Sequence, residues 1–182
     1  MIEVEVKVRA DIDEVRQRLE EMGAERHGSK TQVDTYYSAP HRDFAETDEA
    51  LRIRRFDGET RLTYKGPKLD TQTKSREEFE LEVGDDDTMD SVLTSLGFEE
   101  FETVRKEREV YEVDGYHVLL DDVDGVGEFV EVETEADEES LDDARDGVKD
   151  VLGEVGLDPG DSITTSYLGL LVSQEEEEGQ KT

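Results

Sequence analysis

The 182-residue chain contains no cysteine, which excludes disulfides, thiolate chemistry and cysteine-ligated zinc. It also lacks any apolar run near the ~20 residues that span a bilayer. Strand-forming residues begin at Met1 without a basic and apolar leader, a start that predicts a cytoplasmic protein. No Walker A loop occurs. Gly125-Val126-Gly127 is followed by no helical pattern and reads as a hairpin turn, not a dinucleotide fingerprint. His27, His41 and His117 are scattered and fit no metal-ligand spacing. Positive charge is scarce: 21 Lys and Arg stand against 52 Asp and Glu, for a net charge of -31 and a pI near 4.2. A surface this acidic repels phosphate backbones and anionic membranes, so neither a nucleic-acid polymer nor a membrane is an expected partner.

What is present is a well-patterned chain of a size that suits one domain. Residues 1–173 read as that domain, and 174–182, with Glu175 to Glu178, as a disordered acidic tail. The acid excess, with arginine outnumbering lysine, predicts a halophilic cytoplasm. At ~1 M salt the Debye length of ~3 Å would screen such self-repulsion.

Met1 to Arg9 alternates Ile2, Val4, Val6 and Val8 with Glu3, Glu5 and Lys7, a strand with one aliphatic and one charged face. Asp11 or Asp13 caps a helix to about Met22, stopped by Gly23. Strands are expected at Gln32 to Tyr37, Ala50 to Phe56, Thr60 to Gly66 and Lys74 to Val83. A second helix carries Met89, Val92, Leu93 and Leu96 toward the core and ends at Gly97. Three further strands follow: Phe98 to Val113, long enough to be bulged, Tyr116 to Val123, and one carrying Phe129, Glu131, Glu133 and Glu135 on one face. A helix over Glu139 to Glu154 and an apolar helix or turn over Ser162 to Val172 close the chain. Asp57-Gly58 and Asp114-Gly115 are hairpin turns, so the order of strands and helices predicts an α+β fold with an antiparallel sheet.

Six strands carry charge on alternate residues, and four of them present paired positives, among them Arg52 with Arg54 and Lys106 with Arg108. A merely solvated acidic surface has little reason to keep such pairs. If the sheet closes on itself, these faces line one lumen, and a polar, multiply charged lumen fits a polyphosphate with a divalent metal. Guanidinium and ammonium groups neutralise phosphoryl oxygens, and carboxylates supply hard ligands for Mg²⁺ or Mn²⁺.

These residues, in order, resemble the CYTH superfamily. The resemblance rests on Glu3-x-Glu5-x-Lys7, Asp34-Thr35-Tyr36-Tyr37, Leu51-Arg52-Ile53-Arg54, Tyr64-Lys65-Gly66-Pro67 and Arg76-x-Glu78-x-Glu80. It continues through Lys106-x-Arg108, Asp121, the run Gly125 to Glu133, and Ser166-Tyr167 with Leu170-Leu171. It implies a triphosphate tunnel metalloenzyme: an eight-stranded, closed antiparallel β-barrel with flanking helices, holding a small triphosphate with two divalent cations, Mg²⁺ or Mn²⁺. Within the superfamily the chain looks like the CyaB-like group of class IV adenylyl cyclases, which convert ATP to cyclic AMP and pyrophosphate. Other members are triphosphatases acting on thiamine triphosphate, tripolyphosphate or nucleotides. A non-catalytic polyphosphate-binding protein is the rival from another class, and a homodimer is compatible with either.

By the same resemblance Glu3, Glu5, Glu131 and Glu133 are candidate metal ligands, with Asp121 close by. Arg52, Arg54, Lys65, Lys106 and Arg108 are candidates to clamp the triphosphate, and Arg76 either joins them or pairs with Glu78. Lys7, Lys65 and Asp121 are the candidate catalytic groups. Tyr36, Tyr37, Phe129 and Tyr167 are expected to pack. The His-Phe pair ahead of the E-x-E-x-K motif in class IV cyclases has no counterpart here, and an arginine common before the terminal Ser-Tyr is Thr165. These departures bear on the substrate and leave the phosphate site untouched.

Overall fold

A computed structural model describes residues 1–71 and 73–181. Eight strands, β1 (Ile2–Arg9), β2 (Glu25–Ser38), β3 (Ala50–Phe56), β4 (Glu59–Lys65), β5 (Arg76–Glu82), β6 (Glu99–Val113), β7 (Tyr116–Val123) and β8 (Gly127–Ala136), close into one barrel in the order β1-β5-β4-β3-β2-β6-β7-β8. Every pair is antiparallel. Five helices flank them: α1 (Ile12–Glu21), α2 (Phe44–Thr47), α3 (Asp86–Ser95), α4 (Leu141–Glu154) and α5 (Tyr167–Gln180). The expected order of strands and helices is the observed one, with the short α2 added inside the loop after β2.

Local chemistry explains the tight corners. Asp57 and Gly58, and again Asp114 and Gly115, all have positive φ, the conformation that two-residue turns between right-twisted strands require. Asp11 caps α1 by accepting from the Asp13 and Glu14 amides, and Asp85 caps α3 by accepting from that of Thr88.

Period-two alternation then sorts the faces. Ile2, Val4, Val6 and Val8 point outward and are buried with Val130 and Val132 of β8 under Val15 and Leu19 of α1 and Ala144, Val148, Val151 and Leu152 of α4. A second cluster puts Leu93 of α3 on Tyr37, Leu51 and Ile53. A third gathers Tyr36, Val104, Val123, Val126, Phe129 and Tyr167 where α5 meets the barrel. The largest cluster lies between barrel and helices, whereas Tyr36, Val104, Val123 and Phe129 of the third share the inward face with Asp34, Lys106, Asp121 and Glu131; the rest of the interior is left to the charged side chains.

Two stretches differ from the sequence expectation, and a third meets it. β2 starts seven residues earlier than Gln32, because residues 25–31 pair along β6 although they carry no apolar alternation. β6 is bulged, as its length predicts, with a register shift where Tyr36 faces Glu102 and Tyr37 faces Glu100. α3 buries only Leu93, leaving Val92 and Leu96 exposed where a core-facing stripe is expected.

The expected disordered tail is helical to Gln180 instead. Ser166 caps α5 by accepting from the Gly169 amide, and the glutamates that follow are good helix formers that prolong it. Thr182, the last residue of that expected tail, lies outside the described residues.

Candidate active site

The lumen is a cavity of about 1400 Å³ lined from every strand. Its two walls differ in charge. β1 and β8 contribute Glu3, Glu5, Glu131 and Glu133. Four places around the barrel, β2 and β3 contribute Lys30, Arg52 and Arg54. More than half of the chain's 21 lysines and arginines line this space, but only a minority of its 52 acids.

On the acidic wall, oxygens of Glu3, Glu5 and Glu133 lie within 4.8 Å of one another. Register produces this grouping: Glu5 stands opposite Glu133, whereas Lys7 stands opposite Glu131. Burial and the Glu3 carboxylate push the Glu133 carboxyl up to about 8. Glu131 sits apart from the trio, accepting from Arg108 Nη2 at 3.0 Å. Burial opposes its ionisation, but Arg108, Lys7 and Lys74 hold its pKa far below the ordinary range.

Three converging carboxylates whose mutual repulsion favours a proton are a donor set suited to a hard divalent cation. Glu5 Oε1 is buried with the Lys74 ammonium 3.1 Å away. The residues present therefore fit a hard divalent cation such as Mg²⁺ or Mn²⁺, which Glu3, Glu5 and Glu133 would hold.

The basic wall is organised by Asp34, which sequence reasoning placed in a motif without a role. Its carboxylate accepts from Arg54 Nε and Nη2, both at 2.7 Å, and lies 3.6 Å from Arg52 and 3.5 Å from Lys106. Burial works against its ionisation, but Lys106, Arg54 and Arg52 hold it well below the usual carboxylate range. Asp34 thus fixes three cations at once. Its only sequence signal is being the one acid on the inward face of Gln32, Asp34 and Tyr36.

Asp121 does a similar job two strands further on, on β7. It accepts from Arg108 Nε and Nη2 at 2.6 Å each, and from the Tyr167 hydroxyl at 2.7 Å. Fully buried and saturated, it orients Arg108. In both bidentate pairs Nε and Nη2 are held, which leaves Nη1 for a ligand.

The lysines divide. Lys65 donates to Glu3 at 2.6 Å and lies 3.2 Å from Glu78. Lys7 donates to the Thr165 carbonyl at 2.7 Å, with its ammonium 4.2 Å from the Tyr167 ring centre. Lys106 lies 5.3 Å from that same ring. Burial lowers Lys7 to about 7, assisted by Lys74. Burial also lowers Lys106 to about 7, assisted by Arg54.

Arg76 reaches Asp48 at 3.5 Å while lining the cavity. Tyr167 packs as expected, and its hydroxyl and face also enter the site. Lys74, on the irregular segment between β4 and β5, was not anticipated. It stands at period two with Arg76 and Glu78 in the strand expected from Lys74, but that strand begins only at Arg76 and the pattern gives the lysine no role.

A closed antiparallel barrel with facing acidic and basic inner walls defines a charged tunnel. The chain belongs to the CYTH domain family, which matches residues 1–167. It is 40% identical over 172 residues to a provisionally named adenylate cyclase of Methanocaldococcus jannaschii, covering 93% of this chain and 98% of that one. The solved PH1819 protein of Pyrococcus horikoshii is 41% identical with a TM-score of 0.87, covering 94% and 99% of the two chains. A Hippeastrum adenylyl cyclase candidate, described as revealing a dominant triphosphatase activity, is 18% identical with a TM-score of 0.66 over 95% of each chain, a likeness of fold.

Proposed function

We propose that this protein is a divalent-metal-dependent enzyme that processes a small triphosphate in the tunnel, with conversion of ATP to cyclic AMP and pyrophosphate as the first reading. The observation that carries it is the coexistence in one lumen of the Glu3, Glu5 and Glu133 cluster and the Arg52, Arg54, Lys106 and Arg108 set. A divalent cation held by the three glutamates supplies charge neutralisation at phosphoryl oxygens.

The chain's own residues do the rest. Arg54 and Arg108, held by Asp34 and Asp121, present their free guanidinium edges to phosphoryl oxygens without reorganising. Lys106 and Lys7, only partly charged near pH 7 when the lumen holds no polyanion, gain charge as phosphate arrives. Lys65 joins the clamp from the Glu3 side. For cyclisation, these groups hold the triphosphate so that the ribose 3′ oxygen lies in line with departing pyrophosphate.

Hydrolysis of a triphosphate is the second reading, favoured by the triphosphatase activity described for the Hippeastrum relative of this fold. The same clamp serves both. Incubation with ATP, thiamine triphosphate and tripolyphosphate plus Mg²⁺ or Mn²⁺ in high KCl, with products separated by chromatography, distinguishes them. Cyclic AMP with pyrophosphate is expected. Release of phosphate alone replaces the first reading by the second, and binding without product removes both.

A further inference from the structure

Between β4 and β5 the chain does not make a hairpin. Instead the residues leading into β5 loop out, with the Gly66 amide on the Glu77 carbonyl, and come back at Lys74 to a seam where, among the described residues, β5 pairs with β1 through Glu77 opposite Ile2 and Arg76 opposite Glu3. Beyond that point the partner of β1 is this segment: the Lys74 amide donates to the Glu5 carbonyl at 2.9 Å. The Lys74 side chain turns inward, 11% exposed, and its ammonium lies 3.1 Å from Glu5 Oε1. That oxygen has no aligned hydrogen bond, so the contact is an ion pair without the geometry of a settled one.

Glu5 is one of the three carboxylates that converge as metal holders, and its neighbour Glu3 is likewise covered by Lys65. A divalent cation that took Glu5 Oε1 would meet the Lys74 ammonium across one oxygen in a buried site, and like-charge repulsion would favour departure of the ammonium. Lys74 has the means to leave. Its stem is flexible, and the segment is anchored by contacts that do not involve its side chain: Lys68 Nζ to Asp48 at 2.6 Å, Asp70 to Arg145 at 2.7 Å, and the Leu69 amide to the Ser75 carbonyl at 2.7 Å.

We infer that Lys74 is a positioning residue, an internal counter-cation that keeps Glu5 in place and yields its carboxylate to the divalent ion when that ion enters. The inference rests on the metal site proposed above. It assigns to residues 66–75 a task beyond closing the seam, namely delivery of a removable positive charge to the metal-binding wall.

The test is Mn²⁺ binding to the full chain in high KCl without phosphate, followed by the electron paramagnetic resonance of free Mn²⁺. Lys74→Met should bind Mn²⁺ on the order of tenfold tighter, the scale of one charge-assisted hydrogen bond. Lys74→Arg, which keeps the charge, should stay near wild type, and so should Lys68→Met, which removes a lysine from the same segment but away from Glu5. In parallel, Mg²⁺ titration should shift the Lys74 side-chain NMR resonances and not those of Lys68. Unchanged or weaker binding in Lys74→Met, equal tightening in Lys68→Met, or an unmoved Lys74 resonance overturns the proposal alone. A wild-type chain that binds no Mn²⁺, or a Glu5→Gln variant that binds it as tightly, overturns the metal site and the proposal with it.

Discussion

Lys106 shows how the lumen is set for a polyanion. Its ammonium is buried among Arg54 and Arg108, with Asp34 as compensation, and its pKa falls to about 7. A bound polyphosphate favours the charged form and raises that value. Above pH 7, therefore, binding takes up a proton, and affinity falls as pH rises toward the ordinary lysine range. Calorimetry of tripolyphosphate binding at pH 8, in two buffers of different ionisation enthalpy, should show net uptake that shrinks in Lys106→Met. Equal uptake in the variant would contradict this account.

Asp121 makes the complementary point. Replacing it with Asn puts an amide against Arg108 and breaks a buried, charge-assisted pair, which should destabilise the fold by about 3 kcal/mol in urea titrations. The exposed neighbour Asp122→Asn should leave the midpoint unchanged. The inward-facing charges were legible in sequence because alternation reports the face. It does not report depth along the barrel: Glu131 and Glu133 share a face, and only the register against β1 puts Glu133 beside Glu5 and Glu131 beside Lys7. Asp34 and Lys74 escaped for a related reason, since their roles arise from contacts distant in sequence.

Among the elements, α4 carries a testable contradiction to intrinsic propensity. It contains Gly147 and Gly153, and in a helix interior Ala is ordinarily better than Gly by ~1 kcal/mol. A side chain at Gly153 meets nothing, so Gly153→Ala should stabilise by roughly that amount. At Gly147 a Cβ would overlap the Tyr116 hydroxyl oxygen and the ring carbon that bears it. The sign should therefore reverse there, with Gly147→Ala lowering the thermal midpoint because α4 must withdraw from the barrel face that it covers. Were both substitutions stabilising, the packing of α4 on Tyr116 would be refuted.

The elements themselves were readable wherever local signals agree, as in the Asp-Gly corners and the Asp caps. They were unreadable where a partner imposes the structure. Residues 25–31 are strand because β6 pairs with them. The acidic end of α5 is helix because a capped, packed first turn at Ser166 and Tyr167 nucleates it, a step whose entropic cost no run of glutamates could meet alone.

At the scale of the whole molecule, the charge is segregated by sign. The lumen collects most of the basic side chains, while the outer surface carries the bulk of a net charge of -31. Exposed carboxylates repel one another over a Debye length of ~10 Å at 0.1 M salt and only ~3 Å at 1 M. Buried pairs such as Arg54 with Asp34 and Arg108 with Asp121 are screened far less. Added salt therefore relieves the surface without dissolving the clamp. Thermal unfolding followed from about 0.1 to 2 M KCl should show a midpoint that climbs steeply at first and flattens beyond ~1 M, where the Debye length is shorter than a side chain. A midpoint independent of KCl would mean that surface repulsion is not the term that limits this fold, and the high-salt setting inferred from composition would go with it.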